Sequence, residues 1–541
     1  MSNLSIQPKI VIIGAGIAGL SAARKLYGYG FVNIKLLEAQ KRTGGRIKTS
    51  KIGKGAIELG AQWIHGEGQN PLFHIARDNH LIDSSVKVGW DEEFRTQNGE
   101  KIDPTICDEV MTEIDRISDH CETFYNEIIP ESCPELSLGE QYSQQFSIYL
   151  NNLKEDSRRK QLKKGLFDWN SLSEHSMNAC NSLYDLHIRG WGQYKNFKGN
   201  KHVEFDMRGY QSIVDLFQDA IPSDWVHINK PVIHIDWRDN KQAAYIDKKD
   251  LHTNTEASNT NLIPLNAQLD EKSIGNELKA DTCETTMSDG VKCDNHDDLM
   301  SNDVDPITKQ LKVICDDETF YADHVITTVS LGCFKGNSRL FNPPLPSEKQ
   351  LAVSNIGFGA VNKIYLEFSE AFWDPGWDGF NLVWLRDEPF TLDCMKDSTP
   401  TTWYKSIHGF NTVINQPNIL LIWSSGKGAV EMEKEPHDLV LNVCHELMEK
   451  FLKRSIQRPI NLIRTNWSNE PYVYGSYSYQ STHGKHSDVD ILAAPLPNEK
   501  VPRLMFAGEA TSKHYFSTVH GAMMSGWREA DRLAQLYTSH D

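Results

Sequence analysis

The 541 residues contain no uninterrupted apolar run of about 18 residues, the length a membrane-spanning helix requires. Nothing in the chain is therefore expected to cross a bilayer. The ten cysteines include no C-x-x-C pair, which removes support for a zinc ribbon or a thioredoxin-like motif and leaves free thiols as the expectation; no metal site is expected. Basic residues are outnumbered, 56 Lys and Arg against 73 Asp and Glu, for a net charge of -17. Phosphate binding needs clustered basic residues, so nucleic acid is not an expected partner, whereas a cationic ligand is compatible with the charge. Internal repeats are missing as well. Met1 to Lys9 is polar and leaves no room for a secretion signal, and Ser539-His540-Asp541 differs from the peroxisomal tripeptide. The expected address is the cytosol, with a nuclear pool left open and no membrane association.

What is present is enough apolar residue for two cores, since domains usually hold about 100 to 200 residues. Lys9 to Ile13 reads as a short buried strand, Gly14 to Gly19 as a tight turn, and Leu20 to Tyr27 as a helix. Asn33 to Leu37 is a second strand ending in Glu38, which completes a βαβ unit. From about Asp239 to Asp305 the chain turns polar, with few aromatics and a large share of the net negative charge. This composition predicts a disordered insertion. Val232 to Trp237 and Gln310 to Cys315 alternate apolar and polar residues on its two sides, as the arms of a hairpin would. Further strands are expected at Ala322–Val329, Val361–Phe368 and Arg503–Ala507, and a final helix from about His520 to Leu533.

Several short elements carry chemistry. Gly14, Gly16 and Gly19 form G-x-G-x-x-G between a strand and a helix, and acidic Glu38 follows nineteen positions after Gly19. The first glycine permits the turn, the second a close approach of pyrophosphate, and the third helix–sheet packing, while Glu38 suits a ribose hydroxyl. Arg42-Thr43-Gly44-Gly45-Arg46 comes directly after the second strand, a glycine pair between two arginines suited to a second approach to pyrophosphate. Glu58 to Gly66 reads Glu-Leu-Gly-Ala-Gln-Trp-Ile-His-Gly. Lys363 lies inside an otherwise apolar strand, where a buried charge must be paired or neutralised. Toward the C-terminus stand Ala507-Gly508-Glu509-Ala510-Thr511, a helix with small residues at 521, 522, 525 and 526 on one face, and Gly475-Ser476-Tyr477-Ser478.

Together these elements resemble the flavin-containing amine oxidase family and, within it, the branch that oxidises polyamines, the spermine and N1-acetylpolyamine oxidases. The resemblance implies an α/β protein. A Rossmann-like FAD domain of the two-dinucleotide-binding type would come from 1–88, 222–344 and 457–541, interleaved with an α+β substrate domain from 89–221 and 345–456. It implies FAD contacts at Gly14, Gly16, Gly19, Glu38, Arg42, Gly45, Arg46, Gly60, Ala61, Trp63, Val232, Gly508, Glu509, Thr518 and Val519. The small face of the last helix would admit the isoalloxazine ring. Monoamine oxidases tether the flavin through a cysteine at the place of Ser476, so FAD is expected to be non-covalent here.

By the same resemblance Lys363 and His65 are the catalytic candidates, Lys363 holding a water against flavin N5 and His65 orienting the amine. Tyr477 would be a wall of an aromatic cage. Glu204 and Asp206 would either pair with a distal ammonium or form a solvated acidic turn. The implied reaction passes hydride from a polyamine, spermine or an N1-acetylated polyamine, to flavin N5, and molecular oxygen then takes the electrons. A shorter polyamine, an aminoaldehyde and hydrogen peroxide result. Tyr474 stands where the family more often has arginine, and the region from Trp90 to Met207 lies outside the resemblance. A histone demethylase, a monoamine oxidase or a flavin-binding scaffold without turnover stay open as alternatives, and the oligomeric state is not fixed.

Overall fold

The computed structural model describes residues 6–52, 55–83, 92–123, 136–237, 310–396 and 401–538. The expected insertion at 239–305 lies outside them.

At the centre of a six-stranded sheet lies Ile10–Ile13, paired in parallel with Ile34–Leu37 on one side and His324–Thr327 on the other. Pro502–Phe506 continues the sheet in parallel beyond His324–Thr327, and Leu496–Pro497 closes that edge antiparallel. All four residues of Ile10–Ile13 are buried because both faces are covered. Alternation divides them: Ile10 and Ile12 enter a core with the helix Ile17–Gly28, while Val11 and Ile13 enter another with Ile235, Trp237 and Val313.

That second core is shared with a four-stranded sheet in which Val232–Asp236 and Leu311–Cys315 pair antiparallel, Ile235 opposite Val313. The two arms of the expected hairpin are thus adjacent strands. The single strand expected at Ala322–Val329 is instead two. Thr319–Ala322 belongs to the four-stranded sheet, His324–Thr327 to the parallel one, and the chain changes sheet at Asp323.

Another six-stranded sheet contains Asn461–Arg464, Val361–Glu367, Gln416–Ser425, Gly409–Val413, Gly379–Val383 and Glu93–Thr96, in that order. Ile364 and Leu366 face a core with the helix His437–Leu452, whereas Tyr365 faces Ile57 and Leu421 on the opposite side. Lys363 precedes Tyr365 by two positions and so shares that opposite side. Two placements differ from the sequence expectation. Asn461–Arg464, assigned above to the FAD segments, pairs with Val361–Glu367. Residues from Val203 to Ile221, assigned to the substrate segments, pack into the core of the parallel sheet. Short strands carry too little periodicity to reveal which sheet they join. Among the described residues no helix is long and apolar enough to cross a membrane.

The small-residue face of the helix Val519–Thr538 packs closely on neighbouring chain. A Cβ at Gly526 would stand 2.1 Å from the Ala18 carbonyl oxygen, so this glycine permits close packing on Ile17–Gly28, and Ser21 Oγ donates to the Met523 carbonyl across the same contact (2.9 Å). Gly521 lies against the Tyr515 carbonyl, and Ser525 Oγ accepts from Gly508 N (2.8 Å). Three of the four small residues of this face, Gly521, Ser525 and Gly526, are thus met by the protein's own backbone. Gly526→Ala is expected to lower stability by about 1–3 kcal/mol through overpacking, read as a lower midpoint in urea unfolding with an unchanged slope.

Candidate active site

Glycine builds a cradle at the carboxyl end of the parallel sheet. Gly14 has φ +101° and donates to the Leu37 carbonyl (2.7 Å), which turns the chain out of the strand. A Cβ on Gly19 would stand 2.0 Å from the Gly14 carbonyl oxygen, so only glycine lets the helix start this close to the turn. Gly16 is the N-cap of Ile17–Gly28, and no side chain caps that terminus. Its first amides are therefore directed outward with the positive end of the helix dipole.

The arginine–glycine element meets this turn. Gly44 N donates to Ala15 O (2.8 Å), and Gly16 and Gly44 form a parallel bridge. Gly45, at φ +58°, would place a Cβ 3.5 Å from Gly16 Cα. Arg42 folds back to donate to the carbonyls of Thr43 (3.1 Å) and Ile47 (2.9 Å), so it braces its own loop. Glu38 is buried and accepts from Ala15 N and Gln40 N, both at 2.8 Å. Burial raises its pKa against those bonds and the nearby Arg42 charge. Val232 begins the strand just beyond Lys230, whose N–H donates to the Glu38 carbonyl (2.8 Å).

Two later segments close over the cradle. Arg46 Nη1 pairs with Glu509 Oε1 (2.8 Å) and donates to the Ser476 carbonyl (2.9 Å). The other oxygen of Glu509 accepts from Ser478 Oγ (2.6 Å) and Ser517 N (2.9 Å). Gly508 has φ +120°. Thr518 Oγ1 accepts from Gly521 N (3.0 Å) at the start of the last helix, and Val519 packs on the neighbouring core. Ser476 Oγ bonds both the N–H and the carbonyl of Val361 (2.8 and 3.0 Å), tying this segment to the strand of Lys363. Gly60 closes the set: a Cβ there would stand 1.8 Å from the Arg46 carbonyl, and Ala61 N donates to that same oxygen (3.1 Å). An uncapped helix N-terminus, a glycine-only turn and a buried acid at the end of the second strand form a donor and acceptor set that fits an adenine dinucleotide.

Lys363 stands beyond the cradle. Its Nζ reaches Glu58 O (2.6 Å), Gly60 O (2.8 Å) and Gln62 Oε1 (2.6 Å), and lies 4.7 Å from the centroid of Trp423, its partner across the sheet. These contacts hold the segment 58–62, which takes all three protons of an ammonium. Burial lowers the Lys363 pKa to about 7, opposed by the charges of Glu58 and Glu204. Glu58 itself is buried and takes bonds from Thr49 Oγ1 (2.8 Å) and Tyr210 N (2.7 Å), while Tyr365 Oη donates to its carbonyl (2.7 Å).

Glu204 is drawn to the same place, accepting from Trp63 Nε1 (2.9 Å). Burial raises its pKa, whereas Trp63, Lys363 and Gln62 stabilise the anion. Asp206 is not part of this site. It forms an ion pair with Arg208 (2.6 Å) that holds its pKa down, so of the two acids only Asp206 is the surface acidic turn. His65 donates from Nδ1 to the Lys201 carbonyl (2.8 Å), which leaves Nε2 as an acceptor, and burial lowers its pKa. Tyr477 Oη donates to the Ser176 carbonyl and so ties its ring to the helix Ser157–Asn178.

Sequence reasoning missed other members. Glu174 lies on that helix with Asn178 Nδ2 as donor (3.1 Å), and burial pushes its pKa up to about 7. Trp423 lies 5.7 Å from Trp63, and His202 packs edge-on against Trp63 at 4.8 Å. Gln62 stands between Lys363 and Glu204. Only strand register, opposing Lys363 to Trp423, could have found Trp423; Glu174 is one of two acids on its helix, with Asp168, and Asn178 four residues on is its local partner.

The arrangement joins a dinucleotide cradle to a buried amine, the buried carboxylate of Glu58, the half-buried one of Glu204, an imidazole acceptor and paired indoles. Comparison with known proteins agrees with it. The family model for flavin containing amine oxidoreductase matches residues 17–254 and 303–534. The peroxisomal N(1)-acetyl-spermine/spermidine oxidase of Homo sapiens is 28% identical over 98% of this chain and 95% of that protein. A possible lysine-specific histone demethylase 1 of Drosophila melanogaster is 26% identical over 98% of this chain and 64% of that protein. A solved structure of a putrescine oxidase double mutant with redesigned cofactor binding shares the fold, with TM-score 0.62 and 17% identity, covering 98% of this chain and 99% of that one. The chain belongs to the flavin-containing amine oxidase family, whose cofactor is FAD.

Proposed function

We propose that this chain is a polyamine oxidase that takes spermine or N1-acetylated polyamines and holds FAD without a covalent bond. The observation that carries the reading is the line from half-buried Glu204 through the Trp63 and Trp423 rings to Lys363. A substrate with one amine to be oxidised and further ammoniums to be anchored matches a site with aromatic walls and spare negative charge. The human relative is named for such substrates.

When bound, FAD supplies the two-electron acceptor for the carbon next to the reacting nitrogen, and oxygen removes the electrons as hydrogen peroxide. The protein supplies position and charge. Glu204 and Glu174 pair with the distal ammoniums. His65 Nε2 accepts the N–H of the reacting amine and leaves that nitrogen's lone pair free to form the carbon–nitrogen double bond as hydride leaves the attached carbon. Trp63 and Trp423 exclude water from that carbon. Lys363 fixes the segment 58–62, and with it Trp63 and His65, against the cofactor side of the site. The oxidised carbon–nitrogen bond is left as an imine, whose hydrolysis gives the aminoaldehyde and the shorter polyamine. Ser476, bonded through Oγ to Val361, offers no sulfur for a tether.

Anaerobic mixing of the purified yellow protein with spermine, N1-acetylspermine and spermidine tests the reading: at least one should bleach the flavin, and reduction by dithionite but by none of the amines would overturn it. Lys363→Met is expected to slow bleaching by about 10²-fold or more with the FAD absorbance retained. Glu204→Gln should raise the amine KM roughly 10-fold, the scale of one charge-assisted bond. Because burial holds Glu174 near 7, it is neutral below that pH and charged above it, so amine KM should fall as pH rises through 7. In Glu174→Gln that dependence should flatten, as read from steady-state oxygen uptake.

A further inference from the structure

We propose that Phe197 is a positioning residue that sets the spacing between His65 and the start of the helix Val519–Thr538. The inference deepens the reading in which His65 orients the reacting amine, and it rests on that reading for its purpose.

The loop 64–68, which carries His65, is paired along one side with residues 198–203. Ile64 and Val203 exchange both backbone bonds (2.9 and 3.2 Å), Gly66 N donates to Asn200 O (2.9 Å), and the N–H groups of Glu67 and Gly68 both reach Lys198 O (2.8 Å). The His65 ring joins this pairing through Lys201 O. Residues 193–197, the start of the same stretch, run instead along the chain that precedes the last helix. Lys195 N donates to His514 O (2.9 Å), His514 Nδ1 donates to Gln193 O (3.0 Å), and the Tyr194 ring meets Phe516 edge-on at 5.4 Å. One strap, 193–203, thus joins the histidine loop to the segment 514–516.

Phe197 lies where the strap passes from one partner to the other, and it touches both. On one side, a Cβ at Gly66, which has φ +83°, would stand 2.5 Å from Phe197 Cβ and 2.6 Å from its carbonyl oxygen, so only glycine admits this approach. On the other side the Phe197 ring stacks on Tyr515, with centroids 4.8 Å apart and planes 6° from parallel, and meets His520 edge-on at 5.3 Å. Tyr515 and His520 meet in turn at 5.4 Å, which closes a triangle of rings. Tyr515 has little freedom of its own: its carbonyl accepts from Thr518 Oγ1 (2.7 Å) and lies against Gly521 in the first turn of the last helix. Thr518 and Val519, the expected cofactor contacts, stand at that same turn. Lys363 holds the near end of the stretch that leads to His65, at 58–62, and Phe197 holds its far end. Hydride transfer is sensitive to misplacement on the scale of about 1 Å, so slack at the far end slows the reaction.

The test is a double-mutant cycle on the rate constant of flavin reduction at saturating amine. The holoprotein is mixed anaerobically with whichever of spermine, N1-acetylspermine and spermidine bleaches the wild type fastest. Phe197→Leu keeps an apolar side chain and removes the stack, and it should slow reduction about 10-fold with the FAD absorbance retained. Tyr515→Leu should do the same, and the two together no more than either alone. Tyr515→Phe keeps the ring and should slow reduction less than about 2-fold. In a His65→Ala background Phe197→Leu should also cost less than about 2-fold, because the residue through which it acts is gone. A Phe197→Leu factor as large in that background as in the wild type overturns the proposal, as does a wild-type rate in Phe197→Leu. Hydrogen exchange reads the link without any amine: the Lys195 and Gly66 amides should exchange faster in Phe197→Leu and Tyr515→Leu than in the wild type and Tyr515→Phe, and unchanged exchange overturns it as well. If no amine bleaches the wild-type flavin, the functional reading fails, and the exchange measurement alone decides whether Phe197 joins the two loops.

Discussion

A buried ammonium needs acceptors, and the arrangement of this protein follows from how Lys363 obtains them. Removing a charge from water costs several kcal/mol unless geometry compensates. Here the compensation comes from three oxygens of one short segment, 58–62, which must therefore run directly beneath the strand Val361–Glu367. That segment runs directly into Trp63 and leads on to His65, so satisfying one lysine sets the position of the groups that meet the substrate. Glu58 contributes twice, its carbonyl to Lys363 and Tyr365, its carboxylate to the residues that begin the helix Gln211–Gln218.

The cofactor side is governed by a different constraint, the absence of side chains. Gly14, Gly19 and Gly60 each stand where a methyl group would meet a carbonyl oxygen or a hydroxyl at 1.8–2.5 Å. They bring three chain segments closer together than any other residue would permit. The polar closure by Arg46 and Glu509 is then possible because Gly60 lets the chain at Arg46 approach. The two constraints share the stretch from Glu58 to Ala61, which is how the dinucleotide cradle and the amine site come to be one site.

The sequence revealed what depends on neighbours in the chain. Ile10–Ile13 is covered on both faces and so reads as an apolar run, and the turn after it shows its positive φ through glycine. Lys363 was conspicuous because a charge interrupts an apolar strand. Properties that depend on a distant partner were not legible. Glu204 and Asp206 are two positions apart and chemically alike; a tryptophan 141 residues away takes one, and an arginine two residues away takes the other. The small face of the last helix was legible as a face, but a face does not name what meets it: the helix Ile17–Gly28 at Gly526, and the chain at Tyr515 and Gly508 at Gly521 and Ser525.

The order of strands has a consequence for biosynthesis. Ile10–Ile13 emerges early from the ribosome, yet one of its two flanking strands is His324–Thr327, and the next beyond that is Pro502–Phe506. At about 5–20 residues per second, the interval between making the first strand and the last is roughly half a minute or longer. During it the nascent βαβ unit has an unpaired edge of apolar backbone, the kind of surface that chaperones shield. Capture of the dinucleotide must wait for nearly complete translation, so supply of the prosthetic group would govern the yield of mature protein after release and have little influence on the growing chain.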